Sequence, residues 1–389
     1  MNDPSIALVV HPGGVNSSAQ RPSTCLDWAL SGVALLLLLL GLVMISSASM
    51  TSADRVYGEP FYFFWRQLLH LGLGGLAAVL ALRLPLRLWA QLSPALFGLG
   101  LLGLVLVLLP GVGREVNGSM RWMDVGGFSV QPSEFIKTFM ILYAASYVAR
   151  RGEEIRTTWR GFARPLVVLG VVVMLLLLEP DYGASVVLST TLIGMLFLGG
   201  VPMGRFIACA LAIAVTFGLI VLAAPYRLER VSSFLHPWTD PFGSGFQLTQ
   251  ALIAIGRGEW FGVGLGSSVQ KLFYLPEAHT DFLFAVLAEE LGFVGVLLVV
   301  SAFAFLVWRA FSIARRAERM GQLFAAYGAY GLGLLLGLQA FVNIGVNLGV
   351  LPTKGLTLPL MSYGGSSMVA SCLSVGVLLR IDLEARRRR

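Results

Sequence analysis

Long apolar runs separated by short polar joints organise this chain. Runs of about the length a helix needs to cross 30 Å of hydrocarbon recur from end to end. Ten spans follow, over residues 29–48, 66–82, 88–109, 134–149, 165–179, 183–199, 206–224, 282–305, 322–345 and 367–382. A backbone crossing lipid must satisfy its own N–H and C=O groups, so the pattern predicts helices throughout and no strands. The expected fold is all-α: a polytopic integral membrane helix bundle of about ten transmembrane helices, with a long extracytoplasmic loop before the eighth. Residues 1–27 are polar, with Pro, Ser and Asn, and read as a flexible cytoplasmic tail. Residues 28–383 form the transmembrane domain and 384–389 a basic cytoplasmic tail. The first apolar run is too long, and too far from the start, for a cleaved signal peptide.

Composition removes the soluble alternatives. Of 389 residues, 56% are hydrophobic and 13% charged. Mean hydropathy is +0.79. A net charge of +7 would suit a nucleic-acid partner, but 18 of the 28 Lys and Arg residues lie in short loops and tails on one side: Arg21, Arg83, Arg87, Arg150 to Arg164, Arg205, Arg309 to Arg319, and Arg380 onward. By the positive-inside rule both termini are cytoplasmic, so the charge reports topology and no nucleic-acid partner is expected. Cys25, Cys209 and Cys372 are scattered and odd in number, and give no disulfide frame or metal spacing.

Segments 49–65, 110–133, 225–281 and 346–366 then face outward. The longest, 225–281, holds Trp238, Phe242, Phe246, Trp260, Phe261, Phe273 and Tyr274 among glycines, with an apolar stretch at Leu248–Ile255. One or two short interfacial or re-entrant helices over the bundle mouth are predicted there. No internal repeat of the inverted-transporter kind is visible.

Four polar clusters stand at the outer half of the membrane, where uncompensated charge is costly. The first runs from Arg114 through Asn117, Gly118 and Arg121-Trp122 to Gln131-Pro132-Ser133-Glu134 and Lys137. Glu134 and Lys137 share a helix face. They read either as a structural ion pair with Ser133 as cap, or as a site where Lys137 binds an anionic group. The second, Glu179-Pro180-Asp181-Tyr182-Gly183, reads as a tight turn or as oxygen ligands for a divalent cation. The third is Leu275-Pro276-Glu277-Ala278-His279-Thr280-Asp281-Phe282. Thr280 or Asp281 can cap the next helix, but a cap needs neither His279 nor Glu277 beside it. Glu289 follows within about 80° of Asp281 on a helical wheel, and Glu290 points nearly opposite. The last holds Asn343, Asn347 and Lys354, then Pro359 to Ser367 with Ser362, where close-packed backbone N–H groups can cradle phosphate oxygens. Outward cations are unusual, and an anionic amphiphile would explain Arg114, Arg121, Arg257, Lys271 and Lys354 together.

These clusters resemble the SEDS family (shape, elongation, division and sporulation). The likeness runs from about Leu26 to Leu383 and rests on Asn117 to Trp122, Gln131 to Glu134, Glu179 to Gly183, Leu275 to Phe282 and Leu356 to Ser367. The wording of Asn117–Trp122 and of Leu358 to Tyr363 favours its division branch over its elongation branch. The resemblance implies a peptidoglycan glycosyltransferase that polymerises lipid II at the outer face of the bacterial cytoplasmic membrane. Asp281 matches the family's essential aspartate. Glu134, Lys137 and Asp181 match polar residues lining the same cavity, and Arg121, Glu277, His279, Lys354 and Ser362 join them as expected substrate contacts. It also implies a class B penicillin-binding protein as partner, alongside other membrane proteins of the division machinery. A divalent cation, Mg or Mn, is an open expectation, with Asp181 and Asp281 as candidate ligands. Two readings compete. A lipid II flippase would use the same charges, and a division scaffold would leave them unexplained.

Overall fold

The computed structural model describes residues 26–116, 119–222, 232–243, 245–272, 275–352 and 355–387. Every predicted span falls on a helix: α1 (Trp28–Tyr57), α2 (Tyr62–Arg83), α3 (Leu86–Val107), α4 (Pro132–Thr157), α5 (Trp159–Leu178), α6 (Tyr182–Leu198), α7 (Met203–Leu222), α9 (Leu283–Arg319), α10 (Leu323–Asn347) and α11 (Gly365–Arg387). An eighth helix, α8 (Phe246–Gly258), occupies the expected apolar stretch of the long loop. Among the described residues, seven helices (α1, α2, α3, α5, α9, α10 and α11) are long and apolar enough to cross a membrane, while α6 and α7 are apolar but shorter. α4 carries Glu134 and Lys137 near its start and lies outside that group.

Burial sorts the helices. The apolar windows of α10 and α11 are 67% and 83% buried, against 11% for α2 and 22% for α3, so the first two form the centre and the others face lipid. α10 packs on α9, α4 and α6, and α11 packs along α2. On the outward helix α7, Ile207, Leu211, Val215 and Leu219 stay exposed, the surface a lipid contact requires.

The expectation of no strands is corrected. Residues 113–130 form a three-stranded antiparallel sheet, β1 (Gly113–Val116), β2 (Ser119–Val125) and β3 (Phe128–Val130). Helix-only backbone is demanded inside hydrocarbon, not in a loop whose edges meet water. Val125 pairs with Phe128 across Gly126 and Gly127, whose φ values of 59° and 84° suit a tight hairpin.

The described ends of the chain are tied into the bundle. Asp27 is buried, caps α1 through Ala29 N and Leu30 N at 3.1 Å, and pairs with Arg309 at 2.7 Å and Arg386 at 3.5 Å. Asp382 takes Arg316 and Arg386, and Glu384 takes Arg380 at 2.7 Å and the Leu86 N–H at 2.9 Å. α11 therefore stays helical to Arg387 because its acids and bases are needed to tie helix ends together. This network also puts the start of α1 and the end of α11 at one end of the bundle. Residues 1–25 and 388–389 lie outside the described residues.

Candidate active site

The opposite end of the bundle gathers the chemistry. The start of α4, the α5–α6 turn, the segment before α9, the end of α10 and the segment before α11 converge there. Asp281 occupies the turn before α9, and the N-cap residue of that helix, Phe282, caps it with no side chain of its own. Asn347 Oδ1 accepts from Ala285 N at 3.1 Å instead, while Asn343 Nδ2 and Asn347 Nδ2 donate to the Asp281 carbonyl at 2.9 and 3.0 Å. The Asp281 carboxylate accepts no hydrogen bond among the described residues. A glycine leaves it room: a Cβ on Gly355 would sit 3.0 Å from Oδ2. Lys354, next in sequence, lies outside the described residues.

Burial pushes the Asp281 carboxyl up to about 7; Glu277 raises it further, Arg121 opposes, and Asp181 and Glu134 add to the rise. Four of the expected site residues therefore act electrostatically on Asp281. Lys137, buried to 1% exposure, donates to Glu134 Oε1 at 2.8 Å and to Gln339 Oε1 at 2.9 Å. Gln339 Nε2 continues to the Thr357 carbonyl at 3.2 Å, tying α4 and α10 to the segment before α11. Gln339 was absent from the sequence expectations. The signal that reveals it is an amide in the middle of an apolar span.

Several roles differ from expectation. Ser133 does not cap α4, whose N-cap is Gln131; its hydroxyl accepts from Gln131 Nε2 at 2.9 Å and donates to Asp181 Oδ2 at 3.2 Å. Asp181 also accepts from Ala184 N at 3.1 Å, so it caps α6. Arg121 grips the α5–α6 turn through the carbonyls of Glu179 at 3.0 Å and Pro180 at 2.5 Å. Within that turn the Glu179 carboxyl is wholly buried with neither oxygen hydrogen-bonded among the described residues, and burial, with Asp181 adding, raises it to about 9.

Glu277 is exposed and takes the Thr280 hydroxyl at 2.7 Å. His279 lies between Phe63 at 4.5 Å and Tyr363 at 5.5 Å, and burial lowers its basicity while Glu277 opposes. The Ser362 hydroxyl accepts from Leu358 N at 2.9 Å inside a buried turn.

Glu289 and Glu290 both turn away from Asp281, toward residues 268–271. Asp281 sits in a turn, so helical-wheel arithmetic does not carry across to them. Three of the five outward cations have acidic partners. Arg114 pairs with Asp124 at 3.7 Å, Arg257 with Glu289 at 3.5 Å and Lys271 with Glu290 at 2.9 Å. An anionic amphiphile is not needed to explain these three; Lys354 lies outside the described residues. Arg121 acts on Asp281, and Lys137 is held by Glu134, which also acts on it.

No group of three or more His, Cys, Asp or Glu residues is arranged to hold a metal among the described residues. Both oxygens of Asp181 are engaged, which leaves the Asp281 carboxylate open. One carboxylate is compatible with Mg, which keeps several waters and takes the rest of its oxygens from substrate phosphates. Two cavities, of about 540 and 580 Å³, lie elsewhere, one beside Tyr143, Tyr147 and Arg160 and one beside Ser47, Phe64 and Lys271.

A helix bundle with apolar faces suited to lipid, carrying at one end a carboxylate without a hydrogen bond among the described residues, a buried lysine and an arginine, defines a polytopic membrane protein with a polar cluster at that end. Residues 27–387 match the cell cycle protein family of FtsW, RodA and SpoVE, and the chain belongs to that family. It is 53% identical over 371 residues to a probable peptidoglycan glycosyltransferase FtsW of Hahella chejuensis, covering 95% of this chain and 94% of that one. A chain from a solved peptidoglycan synthase complex that coordinates polymerisation and crosslinking superimposes with a TM-score of 0.77 at 34% identity, covering 93% and 98% of the two chains. The rod shape determining protein RodA of Thermus thermophilus gives a TM-score of 0.67 at 30% identity, covering 92% and 97%. Within the family the likeness is to FtsW, and the activity is that of a peptidoglycan glycosyltransferase.

Proposed function

We propose that this chain polymerises lipid II into β-1,4-linked glycan strands at the outer face of the bacterial cytoplasmic membrane, releasing undecaprenyl diphosphate, at the division septum. One observation carries the reading: the Asp281 backbone is fixed by two asparagines while its carboxylate accepts no hydrogen bond among the described residues and feels the charge of Arg121. A carboxyl raised to about 7 is suited to take a proton near neutral pH.

In this mechanism Asp281 accepts the proton of the acceptor 4-hydroxyl as that oxygen attacks the donor's anomeric carbon. The new C–O bond forms as the bond to the diphosphate breaks, so the α-linked donor gives a β-linkage by a single inversion. Charge growing on the departing diphosphate is met by Arg121, which is held in place by the turn it grips, and by Lys137. A divalent cation, Mg or Mn, would be held by Asp281 and the substrate's own phosphates, and would supply Lewis-acid stabilisation of the same charge. His279 packs against Phe63 and Tyr363, and this aromatic cluster, with the exposed Glu277 nearby in sequence, is where the sugar of the nascent strand would rest.

The termini are cytoplasmic in this reading, at the end where Asp27, Arg309 and Arg386 meet. A class B penicillin-binding protein crosslinks the strands and acts on the loop 225–281, shifting the population toward an open groove.

The test is polymerisation of purified lipid II by the full chain in lipid nanodiscs, with and without that partner. A ladder of glycan products from the wild type, and none from Asp281→Asn, supports the reading. Absence of product from the wild-type complex, or normal product from the variant, overturns it.

A further inference from the structure

α9 is broken at Gly292, where φ is 65° and ψ is −164°. The segment before the break, Leu283 to Leu291, begins just after Asp281. The backbone of the long loop fills the break. Val263 N donates to the Glu289 carbonyl at 2.9 Å and Gly264 N to the Glu290 carbonyl at 3.1 Å. From beyond the break, Phe293 N and Val294 N donate to the carbonyls of Glu259 and Trp260 at 2.9 and 3.1 Å. The kink is possible only for glycine: a Cβ on Gly292 would lie 2.3 Å from Gly262 N.

Two buried carboxylates close on the same loop. Glu289 accepts from Ser268 Oγ and from Val269 N at 3.1 Å. Glu290, with no exposed surface, pairs with Lys271 at 2.9 Å and accepts from Ser47 Oγ of α1 at 2.7 Å. Well-packed apolar residues in place of a buried ion pair would leave stability equal or greater. What this pair does provide is a fixed location, joining α1, the loop and the far end of the segment that starts at Asp281.

We propose that Glu290, with Lys271 and Ser47, is a positioning residue for Asp281. Asn343 and Asn347 hold the near end of the segment and the Glu290 clamp holds the far end, so together they set its axis. At 1.5 Å per residue the segment is about 14 Å long, and a tilt of about 5° moves one end by about 1 Å. A misplacement of that size is worth about 10²-fold in rate. The inference rests on Asp281 being the general base.

The test uses the full chain with its partner in nanodiscs, and steady-state kinetics on lipid II. Glu290→Gln alone leaves Lys271 buried and unpaired, so it confounds position with stability. The decisive variant is Lys271→Met with Glu290→Gln, which removes both charges. Positioning predicts a melting temperature at or above wild type, a KM for lipid II within about two-fold, and a kcat lower by about 10- to 100-fold. A purely structural pair predicts wild-type kcat from the same double variant, and that result overturns the proposal. Asp281→Asn is measured beside it. If Asp281→Asn polymerises normally, the base assignment fails; if it is inactive while the double variant keeps wild-type kcat, only the clamp fails.

Discussion

Asn347 does for α9 what Asp281 was free to do. Its Oδ1 accepts the Ala285 N–H at 3.1 Å, and its Nδ2 donates to the Asp281 carbonyl at 3.0 Å. The cap is thus supplied from α10, and the Asp281 carboxylate carries no structural duty among the described residues. Asp281→Asn should therefore insert normally and melt no lower than the wild type while losing about 10²–10⁴ in polymerisation rate, the contribution of a general base. Substantial glycan product from that variant would shift the base role to another carboxylate.

The same residue sets a pH dependence. Its carboxyl is raised to about 7 by burial first and Glu277 second. The base form is the ionised one, so kcat/KM should rise with pH and level off above about 7. Stability moves the other way. A raised folded pKa makes the contribution largest below the unfolded value of 3.8, and it is lost as pH climbs through about 7. The melting temperature of Asp281→Asn should then exceed that of the wild type increasingly from pH 4 to 7, with a constant gap beyond. Melting curves at four pH values measure this directly, and a gap independent of pH would contradict the buried carboxyl.

Glu179 offers a second titration, displaced to higher pH. Its carboxyl has no hydrogen-bond partner among the described residues and is raised to about 9, from an ordinary 4.5, by burial and then by Asp181. Folding keeps it neutral, so its contribution is complete below about 4.5 and is lost progressively until about 9. A glutamine keeps the neutral shape. Glu179→Gln should gain stability over the wild type steadily from pH 5 to pH 9 and no further above that. A gap that closes with rising pH would mean Glu179 is ionised and paired.

Hydropathy made the spans legible, because lipid enforces one backbone solution per crossing. The i, i+3 spacing of Glu134 and Lys137 likewise announced the pair that the structure shows. The sheet at 113–130 was missed although Asn117-Gly118 is a hairpin signal, because the membrane rule was extended to a segment outside the membrane. Asp181, Ser133 and the outward cations were ambiguous for another reason. Their partners are backbone groups and acids far along the chain, such as the Glu179 carbonyl for Arg121 and Glu290 for Lys271. One sequence does not order those contacts. The Arg386 side chain illustrates the reverse error: a basic run at the C-terminus reads as solvated, yet Arg386 joins Asp382 and Asp27.

That last point decides how Lys137 should be tested. Arg386 is no neutral comparison, whereas Arg319 is exposed at the end of α9 and serves better. Lys137→Met alone would leave Glu134 buried beside an apolar chain, a loss of about 3–5 kcal/mol when one partner of a buried pair is removed. Inactivity would then say nothing about the diphosphate. Glu134→Gln with Lys137→Met removes both charges and most of that penalty. If the pair only holds α4 against α10, the double variant should polymerise lipid II like the wild type and like Arg319→Ala. If Lys137 meets the leaving group, the double variant should melt normally but turn over about 10²–10³ more slowly, the magnitude expected for losing one preorganised contact to developing charge. We expect the second outcome, with the deficit in kcat larger than any change in KM, because the contact tightens as the diphosphate departs. Wild-type turnover by the double variant would return Lys137 to a structural role and leave Arg121 as the cation for the leaving group.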